Sequence, residues 1–449
     1  MNLKTFERGI HPSYHKGLTS ENRIEKAELP KQVIIPLRQH LGAPSDVIVK
    51  KGDLVQEGQM IGEAGGYVSA PVHASINGKV KDVVLHTHPG GGKSLAVIID
   101  GDGTEKDWGL VTPSLSILDK FTGEELKGAI GEAGIVGMGG AAFPTYVKLS
   151  PPKERKIDTV ILNGCECEPY LTADHRLMVE QASKVIIGLE AIKRSIGASK
   201  IFIGIEDNKK DAVSTLNQAA KSLSIEVEIV ILETKYPQGA EKMLIKAVTG
   251  QVVPVGKLPL EVGVLVNNVG TTVAIYDALA LGKPLIERVV TISGNGIKTP
   301  RNLLLRVGTS FAEVIEQCGG VISPEALSDT DTPPELEILN GGPMMGVAQS
   351  TIQVPVIKGT SGITLLTGKE IKPKKYSPCI KCSSCVTVCP MGLIPLKIAD
   401  MGRLGMIDDL KSWDAMACIE CGCCSFVCPS KRPLVQWIRV GKVKLRELG

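Results

Sequence analysis

Two cysteine runs near the end of the chain have the residue types and spacing to bind iron–sulfur clusters. Both runs follow the pattern Cys-x2-Cys-x2-Cys-x3-Cys-Pro, over residues 379–390 and 418–429. This pattern is a known ligand signature for iron–sulfur clusters, and in proteins with two clusters the fourth cysteine of each run ligates the other cluster. Two neighbouring clusters would carry single electrons, so the runs indicate an electron-transfer protein.

The duplication predicts two sets of four ligands. One [4Fe–4S] cluster is expected on Cys379, Cys382, Cys385 and Cys428, and the other on Cys418, Cys421, Cys424 and Cys389. The alternative is structural zinc, which uses paired Cys-x2-Cys knuckles, often with histidine. Two complete runs, each with its trailing proline, favour clusters. Cys423 is a spare thiol of the second run, and we expect it to be a packing residue.

A glycine-rich segment in the first half of the chain could hold a phosphate. Residues 134–148 have the sequence GIVGMGGAAFPTYVK. Glycines let backbone N–H groups approach a phosphate closely. The dinucleotide fingerprint requires a preceding strand, whereas residues 123–133 have a helical pattern, and the segment contains no Gly-Lys-Ser/Thr of a P-loop. Spacing alone therefore leaves phosphate binding and a plain tight turn equally open.

Three polar segments are predicted to gather near that loop. Residues 163–169 (NGCECEP) follow a buried strand, and residues 236–241 (YPQGAE) open a helix. Residues 267–271 (NNVGT) follow another strand, at residues 262–266. Polar groups at strand ends of an α/β domain are where ligands collect, so these segments are candidates for a binding site.

The elements that position these residues divide the chain into four predicted modules. Residues 1–115 contain short alternating runs and resemble the barrel of biotinyl/lipoyl carriers, but residues 65–68 at the hairpin tip lack the carrier lysine. Residues 116–285 alternate buried strands with helical patterns, such as residues 177–194, which predicts an α/β domain with a parallel sheet. Residues 286–370 have the pattern of a β-grasp module. Residues 371–449 are predicted to form a helical ferredoxin domain, after a linker at residues 372–378.

Composition excludes several classes of function. Lys plus Arg number 51 against 48 Asp plus Glu, and a net charge of +3 argues against nucleic acid as the main partner. No apolar run reaches the ~18 residues that a membrane-spanning helix needs. The opening residues lack the apolar core of a signal peptide, so an intracellular protein is expected, in which reduced thiols favour metal ligation over disulfides.

Taken together, these motifs resemble the RnfC family of the Rnf electron-transport complex. The opening residues TFERGIHPSYHK, the barrel, the glycine-rich segment and the double cysteine run carry the resemblance. The chain is similar, more distantly, to the flavin-and-NADH subunit of respiratory complex I and its hydrogenase relatives. The resemblance implies a peripheral subunit of an ion-translocating membrane complex, on the cytoplasmic side of the cell membrane. This subunit would exchange electrons between NAD(H) and ferredoxin through FMN and two [4Fe–4S] clusters. Integral membrane and ferredoxin-like subunits would be its partners.

The resemblance also implies the residues of the flavin site. The FMN phosphate and ribityl chain would be held by Gly137, Gly139, Gly140 and Lys148. The remainder of the flavin site would be lined by Asn163, Glu166, Gly239, Asn267, Asn268 and Thr271. The nicotinamide nucleotide would face Phe143, Glu168, Tyr236 and Glu241. Since the cofactors carry the redox chemistry, no catalytic base or nucleophile is expected.

Two other functions compete with this interpretation. A soluble flavin and iron–sulfur reductase acting on a cobalamin would share the flavin loop and the cluster runs. A pure electron-relay or scaffold subunit would keep the clusters but bind no flavin. The opening residues and the barrel ahead of the flavin loop favour the Rnf interpretation over the cobalamin reductase.

Overall fold

The computed structural model describes residues 3–152, 154–322, 336–371 and 375–448. The first part of the chain forms eight strands, of which all but the first belong to the first module. They are β1 (Ile24–Lys26), β2 (Gln32–Pro36), β3 (Asp46–Val47), β4 (Leu54–Val55), β5 (Met60–Glu63), β6 (Val72–His73), β7 (Gly78–Thr87) and β8 (Lys93–Gly101). One sheet has the order β2-β8-β7-β4 and a second has the order β3-β5-β6. The buried side chains of Val33, Ile61 and Val97 belong to the core that they share. The predicted barrel is confirmed.

The second module is an α/β domain around a parallel sheet. Its elements are α1 (Gly123–Glu132), α2 (Thr145–Lys148), β9 (Thr159–Asn163), α3 (Ala173–Glu180), α4 (Ala182–Ile196), β10 (Lys200–Glu206), α5 (Lys210–Ser222), β11 (Glu228–Leu232), α6 (Glu241–Thr249), β12 (Val264–Asn268) and α7 (Val269–Leu281). The strands are parallel, in the order β11-β10-β9-β12. Val160 and Ile203 are fully buried, because helices cover the sheet. The predicted α/β domain is confirmed.

One predicted helix differs from the structure. The sequence pattern predicts a single helix over residues 177–194, whereas the chain leaves the helical conformation at Gln181 (φ −130°, ψ 32°) between α3 and α4. Both helices pack on α5 and α7, but α3 also lies against the strand that begins at Glu287, whereas the most extensive contact of α4 is with α7. A Cβ at Gly188 would lie only 2.0 Å from the carbonyl oxygen of Thr272, so a glycine is needed where α4 meets α7.

The third module is the predicted β-grasp module. It comprises β13 (Glu287–Ser293), β14 (Arg301–Arg306), α8 (Phe311–Gln317), β15 (Leu336–Asn340), β16 (Val347–Ala348) and β17 (Gly362–Thr367). The sheet order is β1-β14-β13-β17-β15-β16, with Ile24 of β1 paired with Asn302 of β14. Residues 24–26, which the sequence pattern places in the barrel module, therefore complete the β-grasp sheet. Residues 323–335 of this module lie outside the described residues.

The cysteine-rich module is helical between its cysteine loops. Its helices are α9 (Ser384–Thr387), α10 (Pro395–Leu404), α11 (Ile407–Ser412), α12 (Cys423–Phe426) and α13 (Leu434–Leu448). A Cβ at Gly402 would lie 2.3 Å from the carbonyl oxygen of Trp437, so this glycine allows α10 and α13 to pack closely. The helical character predicted for this module is confirmed. Of the predicted linker, residues 372–374 lie outside the described residues.

The N-terminal segment (residues 4–16) joins the second and fourth modules. Ile10 and Tyr236 exchange two backbone hydrogen bonds of 2.9 Å, and the N–H of Gly9 donates to the carbonyl oxygen of Val388 at 3.1 Å. The N-terminal segment therefore ties the α/β domain to the cysteine-rich module.

Short 3₁₀ helices lie at Lys16–Leu18, Leu115–Lys120, Pro259–Val262, Gly368–Glu370 and Ala415–Ala417.

Candidate functional site

Nine cysteines line two separate cavities in the cysteine-rich module. Cavity 1, about 340 Å³ including its open mouth, is lined by Cys379, Cys382, Cys385 and Cys428. Cavity 2, about 380 Å³ measured in the same way, is lined by Cys389, Cys418, Cys421 and Cys424. The structure thus brings together the two sets of four that were predicted, with the fourth thiol of each run beside the first three of the other. Cys423, expected to be a packing residue, also lines cavity 2.

The two cysteine loops repeat the same backbone conformation. The second and fourth residues after the first cysteine have positive φ in both loops: Lys381 (57°) and Ser383 (61°) in one, Glu420 (57°) and Gly422 (79°) in the other. Alternating right- and left-handed residues turn successive N–H groups inward, which forms a concave site for an anionic group. The N–H of Lys381 donates to the Cys379 Sγ at 3.4 Å. Hydrogen bonds of this kind stabilise a thiolate ligand.

The cavities fit iron–sulfur clusters better than single zinc ions. A tetrahedral zinc site holds four sulfurs about 2.3 Å from one point. The thiols of cavities 1 and 2 instead surround open volumes, as the ligands of a multi-atom cluster must. Burial raises the pKa of the Cys418 thiol to about 11, so binding there requires a metal charge that displaces the proton. All 12 cysteines, each within the described residues, are free thiols.

The two cavities differ in their exposure. Cys379 and Cys382 of cavity 1 are exposed to solvent, whereas Cys421 and Cys424 of cavity 2 are buried. The hydroxyl of Tyr236, in the α/β domain, donates a 2.8 Å hydrogen bond to the carbonyl oxygen of Cys421. Cavity 2 therefore lies beside the α/β domain.

The predicted flavin residues gather at the switch point of the parallel sheet. Strands β9, β10 and β11 follow one another to one side, whereas β12 lies on the other side of β9. Asn163 at the end of β9 is the register partner of Asn268 at the end of β12. Ligands of open α/β sheets bind at the carboxyl ends of the strands at such a switch point. The two asparagines therefore flank the position where the fold provides a binding crevice.

The glycine-rich loop approaches the same crevice. The backbone N–H of Met138 donates to the Thr271 Oγ1 at 2.9 Å, so Thr271 positions the loop. A Cβ at Gly139 would lie 3.2 Å from the Cβ of Asn268, and Gly140 has a φ of +122°, which glycine adopts most readily. Gly139 and Gly140 are exposed, whereas Gly137 is half-buried and donates its N–H to the carbonyl oxygen of Phe143 at 2.8 Å.

The amides beside the loop suit a polar ring system. Within the described part of the chain, the Nδ2 of Asn267 is buried and has no hydrogen-bond partner. The Nδ2 of Asn163 donates to the carbonyl oxygen of Gly239 at 2.8 Å. A buried amide without a partner is costly unless a ligand completes it, so Asn267 and the exposed glycines fit FMN as the occupant of this crevice.

Two residues expected to contact different ligands are joined to each other. The Lys148 Nζ lies 2.9 Å from the Glu241 Oε1 and 2.6 Å from the carbonyl oxygen of Val266. Both side chains are partly exposed. The lysine predicted for the flavin phosphate is therefore beside the carboxylate predicted for the nucleotide, at the rim of the crevice.

The other two predicted glutamates are occupied by the protein itself. The carboxylate oxygens of Glu166 accept from the N–H groups of Asp174 (2.8 Å) and His175 (3.1 Å) at the start of α3. The Glu168 Oε1 accepts from the N–H groups of Met344 (2.7 Å) and Met345 (3.1 Å). Burial raises the pKa of Glu168. Instead of facing open space for a nucleotide, Glu168 joins the α/β domain to the β-grasp module.

Tyr236 does not lie where a nucleotide could reach it. Its side chain is fully buried among Ile10, Met344 and Cys423, and its hydroxyl donates a hydrogen bond to the backbone carbonyl oxygen of Cys421. It therefore faces the cysteine-rich module and not, as the resemblance implied, the nicotinamide nucleotide. The sequence motif gave no sign of this, because the surrounding residues come from distant parts of the chain. Phe143, within the glycine-rich segment, is half-buried.

Three charged residues near the crevice were not predicted. The Asp174 carboxylate accepts from the Nδ2 of Asn268, and burial, then the charge of Glu166, raises its pKa to about 7. The buried Arg288 lies 3.5 Å from the carbonyl oxygen of Met138, and the Lys358 Nζ donates to the carbonyl oxygen of Gly134 at 2.7 Å. An acidic residue in the first turn of a helix could have pointed to Asp174. Arg288 and Lys358 come from another module, and no local motif marks them.

Comparison with protein families matches each module in turn. Residues 4–104 match the RnfC barrel sandwich hybrid domain, and residues 130–277 match the Nuo51 FMN-binding domain. Residues 289–348 match the SLBB domain, and residues 378–432 match a 4Fe-4S dicluster domain. The four-part architecture and the cofactor types predicted from the sequence are thereby confirmed.

Full-length relatives decide the family. The chain is 47% identical, over 100% of its length and 95% of the relative, to the C subunit of the proton-translocating ferredoxin:NAD(+) oxidoreductase complex of Clostridium ljungdahlii. It is 48% identical, over 98% of each chain, to the Na(+)-translocating counterpart from Acetobacterium woodii. The chain belongs to the RnfC family. The C subunit of the ion-translocating oxidoreductase complex of Rhodobacter capsulatus is 42% identical over 98% of this chain and 83% of that protein.

A solved structure supports the fold of this RnfC family member. An NAD+-reducing [NiFe]-hydrogenase in the H2-reduced state aligns with a TM-score of 0.51 and 16% identity, over 75% of this chain and 65% of that chain. At this identity the likeness concerns the fold alone. Among the helices of the described ranges, none is both long and apolar enough to cross a bilayer.

Proposed function

We propose that this RnfC family member exchanges electrons between NAD(H) and ferredoxin within an ion-translocating membrane complex. FMN at the sheet switch point and [4Fe–4S] clusters in cavities 1 and 2 would be its cofactors. The observation that carries the proposal is the hydrogen bond between Tyr236 and Cys421, which joins the flavin-binding domain to cavity 2. It supports a single route from a two-electron donor to one-electron carriers.

The chain's residues would hold each cofactor by ordinary contacts. Gly139, Gly140 and Lys148 would bind the FMN phosphate, since exposed N–H groups and a cation suit a dianion. The buried amide of Asn267, which has no partner among the described residues, would donate to the flavin, and Asn163 would line the site beside it. Bound flavin converts two-electron hydride transfer into single-electron steps.

The nicotinamide nucleotide would approach from the rim of the crevice. Of the four residues predicted to contact it, Glu241 and Phe143 are at least partly accessible, whereas Glu168 and Tyr236 are engaged within the protein. We therefore propose Phe143 as a stacking surface and Glu241 as an acceptor for ribose hydroxyls. Lys148 pairs with the same carboxylate, so the lysine and the ribose would share Glu241.

We also propose that the protein lies on the cytoplasmic side of the membrane. Its relatives are named as subunits of translocating complexes, so integral membrane subunits would anchor it. NAD(H) is a cytoplasmic metabolite pool, and the nucleotide rim must be open to that side. Protease accessibility in inside-out and right-side-out vesicles would test this orientation.

Metal and flavin analysis tests the proposal as a whole. Protein purified anaerobically should contain about eight iron atoms, four for each cluster, and about one FMN. Addition of NADH should bleach the flavin absorbance and then produce the signal of reduced clusters. Zinc in the thiol cavities, or iron without flavin, would overturn it, and the latter would favour a pure relay function.

The cobalamin reductase alternative receives no support from these comparisons. The relatives at 42–48% identity are named as subunits of translocating oxidoreductase complexes. Co-purification with membrane subunits, together with failure to reduce a cobalamin in the presence of NADH, is the expected result.

A further inference from the structure

Arg432 points an unused hydrogen-bond donor at one of the two cavities. The side chain lines cavity 1, together with Cys379 and Cys428. It is only 8% exposed, and its Nη1 has no hydrogen-bond partner among the residues described. A buried guanidinium N–H without a partner is costly, so it requires an acceptor inside the cavity, and the predicted ligand Cys379, which interacts with the guanidinium, offers one.

The rest of the Arg432 side chain is fixed from two sides. Its Nη2 donates to the Asp400 Oδ1 at 2.6 Å. Its guanidinium lies over the Trp437 ring, 4.9 Å from the centroid, and Tyr376 meets that ring edge-on at 5.3 Å. An ion pair on one edge and an aromatic ring beneath the plane hold the free edge of the guanidinium toward the cavity.

The internal duplication of the chain provides a comparison. Arg432 is the fourth residue after Cys428, and Leu393 is the fourth residue after Cys389. Leu393 lines cavity 2 as Arg432 lines cavity 1. Equivalent positions of the two motifs therefore hold a leucine at one cavity and an arginine at the other.

Cations near cavity 2 are arranged differently. The Lys442 Nζ donates to the carbonyl oxygen of Cys418 at 2.7 Å and pairs with Glu420, which also pairs with Arg439. The Arg8 Nη1 lies 3.3 Å from the carbonyl oxygen of Cys389. These groups are engaged with backbone carbonyls or with Glu420, whereas Arg432 keeps one donor free for the cavity itself.

We propose that Arg432 donates a hydrogen bond to a sulfur of the cluster in cavity 1 and thereby raises the reduction potential of that cluster alone. The inference rests on the function proposed above. Reduction adds one electron to the cluster and one negative charge, with no bond broken and no proton transferred. A fixed cation and an N–H donor stabilise the more negative state, and such contacts set cluster potentials. Of the two clusters, the exposed one would thus receive the electron more readily than its ligands alone would allow.

Replacing Arg432 by the residue at the equivalent position tests the inference. Full-length R432L protein, with both clusters present by iron analysis, is titrated with dithionite and the reduced clusters are followed by EPR. We expect the reduction equilibrium of the cavity 1 cluster to become at least tenfold less favourable, which is 59 mV for one electron. The cavity 2 cluster should be unchanged. The signal of cavity 1 is the one that C382S protein lacks.

Two further variants separate the charge from general perturbation. R432K retains a cation and should stay closer to the wild-type potential than R432L. R403L removes an exposed arginine that lies over the same Trp437 ring, 5.6 Å from its centroid, and 3.9 Å from the Asp400 Oδ1. It should shift the cavity 1 potential much less than R432L and leave the cavity 2 potential unchanged. If R432L loses iron, R432Q replaces it, because the amide keeps a polar side chain without the charge.

The outcomes distinguish this inference from the function on which it rests. An unchanged cavity 1 potential in R432L or R432Q protein that retains both clusters overturns the role of Arg432 and leaves the electron-transfer function intact. A wild-type protein without iron–sulfur clusters overturns the proposed function itself. Equal shifts of both clusters would show a global effect and would also overturn the inference.

Discussion

The hydroxyl of Tyr236 donates a 2.8 Å hydrogen bond to the carbonyl oxygen of Cys421, one of the thiol ligands predicted for cavity 2. The ring is fully buried, and its backbone pairs with Ile10 of the N-terminal segment. Three parts of the chain that are far apart in sequence therefore meet at one side chain. This contact fixes the position of the flavin-binding domain relative to the cysteine-rich module.

Replacing Tyr236 by phenylalanine should loosen this junction without removing a ligand. The buried ring is retained, but one hydrogen bond is lost and a buried carbonyl loses its partner, which costs about 1 kcal/mol. We expect the loss of cluster absorbance in urea to shift to lower urea concentration, with iron and FMN contents unchanged. Y14F is the matched control, because that hydroxyl donates to the carbonyl oxygen of Thr234 instead. An equal shift in both variants would contradict a specific role for Tyr236.

Replacing Cys382 by serine should remove one cluster and keep the other. Cys382 lines cavity 1 only, so iron and acid-labile sulfide should fall by about half while NADH still reduces the flavin. C423A is the control: Cys423 lies outside the predicted ligand sets and should leave the iron content unchanged. Loss of both clusters in C382S would mean that the two cavities fold as one unit.

The cysteine ligands could be predicted from the sequence because their grouping follows from a short local repeat. Cys379 and Cys428 are 49 positions apart, yet the spacing within each run suffices to assign them to the same cavity. The parallel sheet was predictable for a similar reason, since β9, β10 and β11 are continuous apolar runs bounded by turn residues.

Contacts between modules could not be predicted in this way. Tyr236 was expected to face a nucleotide, but its surroundings include Met344 and Cys423, which no local pattern connects to it. Arg432 lies three residues beyond the second cysteine run, yet its orientation depends on Asp400 and Trp437 from two packed helices. Local spacing identifies a ligand, whereas the packing of distant elements decides which way a neighbouring side chain points.

Replacing Lys148 by methionine should weaken FMN binding. The loss of one charge-assisted hydrogen bond to a phosphate costs about 1.5–3 kcal/mol, which corresponds to roughly a tenfold to hundredfold weaker affinity. FMN titration of flavin-depleted protein by fluorescence quenching measures this, and the iron content should not change. K242M is the matched control. Lys242 follows Glu241 in the sequence, but its side chain donates to the carbonyl oxygen of Pro254. An unchanged FMN affinity in K148M would exclude Lys148 from the phosphate site.

Asp174 should make the stability of the α/β domain depend on pH. Burial, then the neighbouring charge of Glu166, raises the Asp174 pKa to about 7, well above its ordinary value of 3.8. A carboxyl group with a raised pKa is more favourably protonated in the folded state. Its contribution to stability is therefore fully present below pH 4 and is lost as the pH rises through 7.

The D174N variant isolates this effect, because the amide stays neutral at every pH. Relative to the wild type, its free energy of unfolding, obtained from urea titrations, should rise between pH 5 and pH 8. The rise should be roughly 1 kcal/mol for each pH unit up to the folded pKa of about 7. D211N is the comparison: although burial alone would raise the Asp211 pKa, the hydrogen bond from His175 holds it below its ordinary value of 3.8, so the pH dependence that comes from Asp211 itself lies below pH 4 and outside this window. A D174N-to-wild-type difference that stays constant with pH would show that Asp174 ionises normally. The polar cluster of Asp174, Glu166 and Asn268 would then be open to water, and the crevice could not hold a neutral acid beside the flavin.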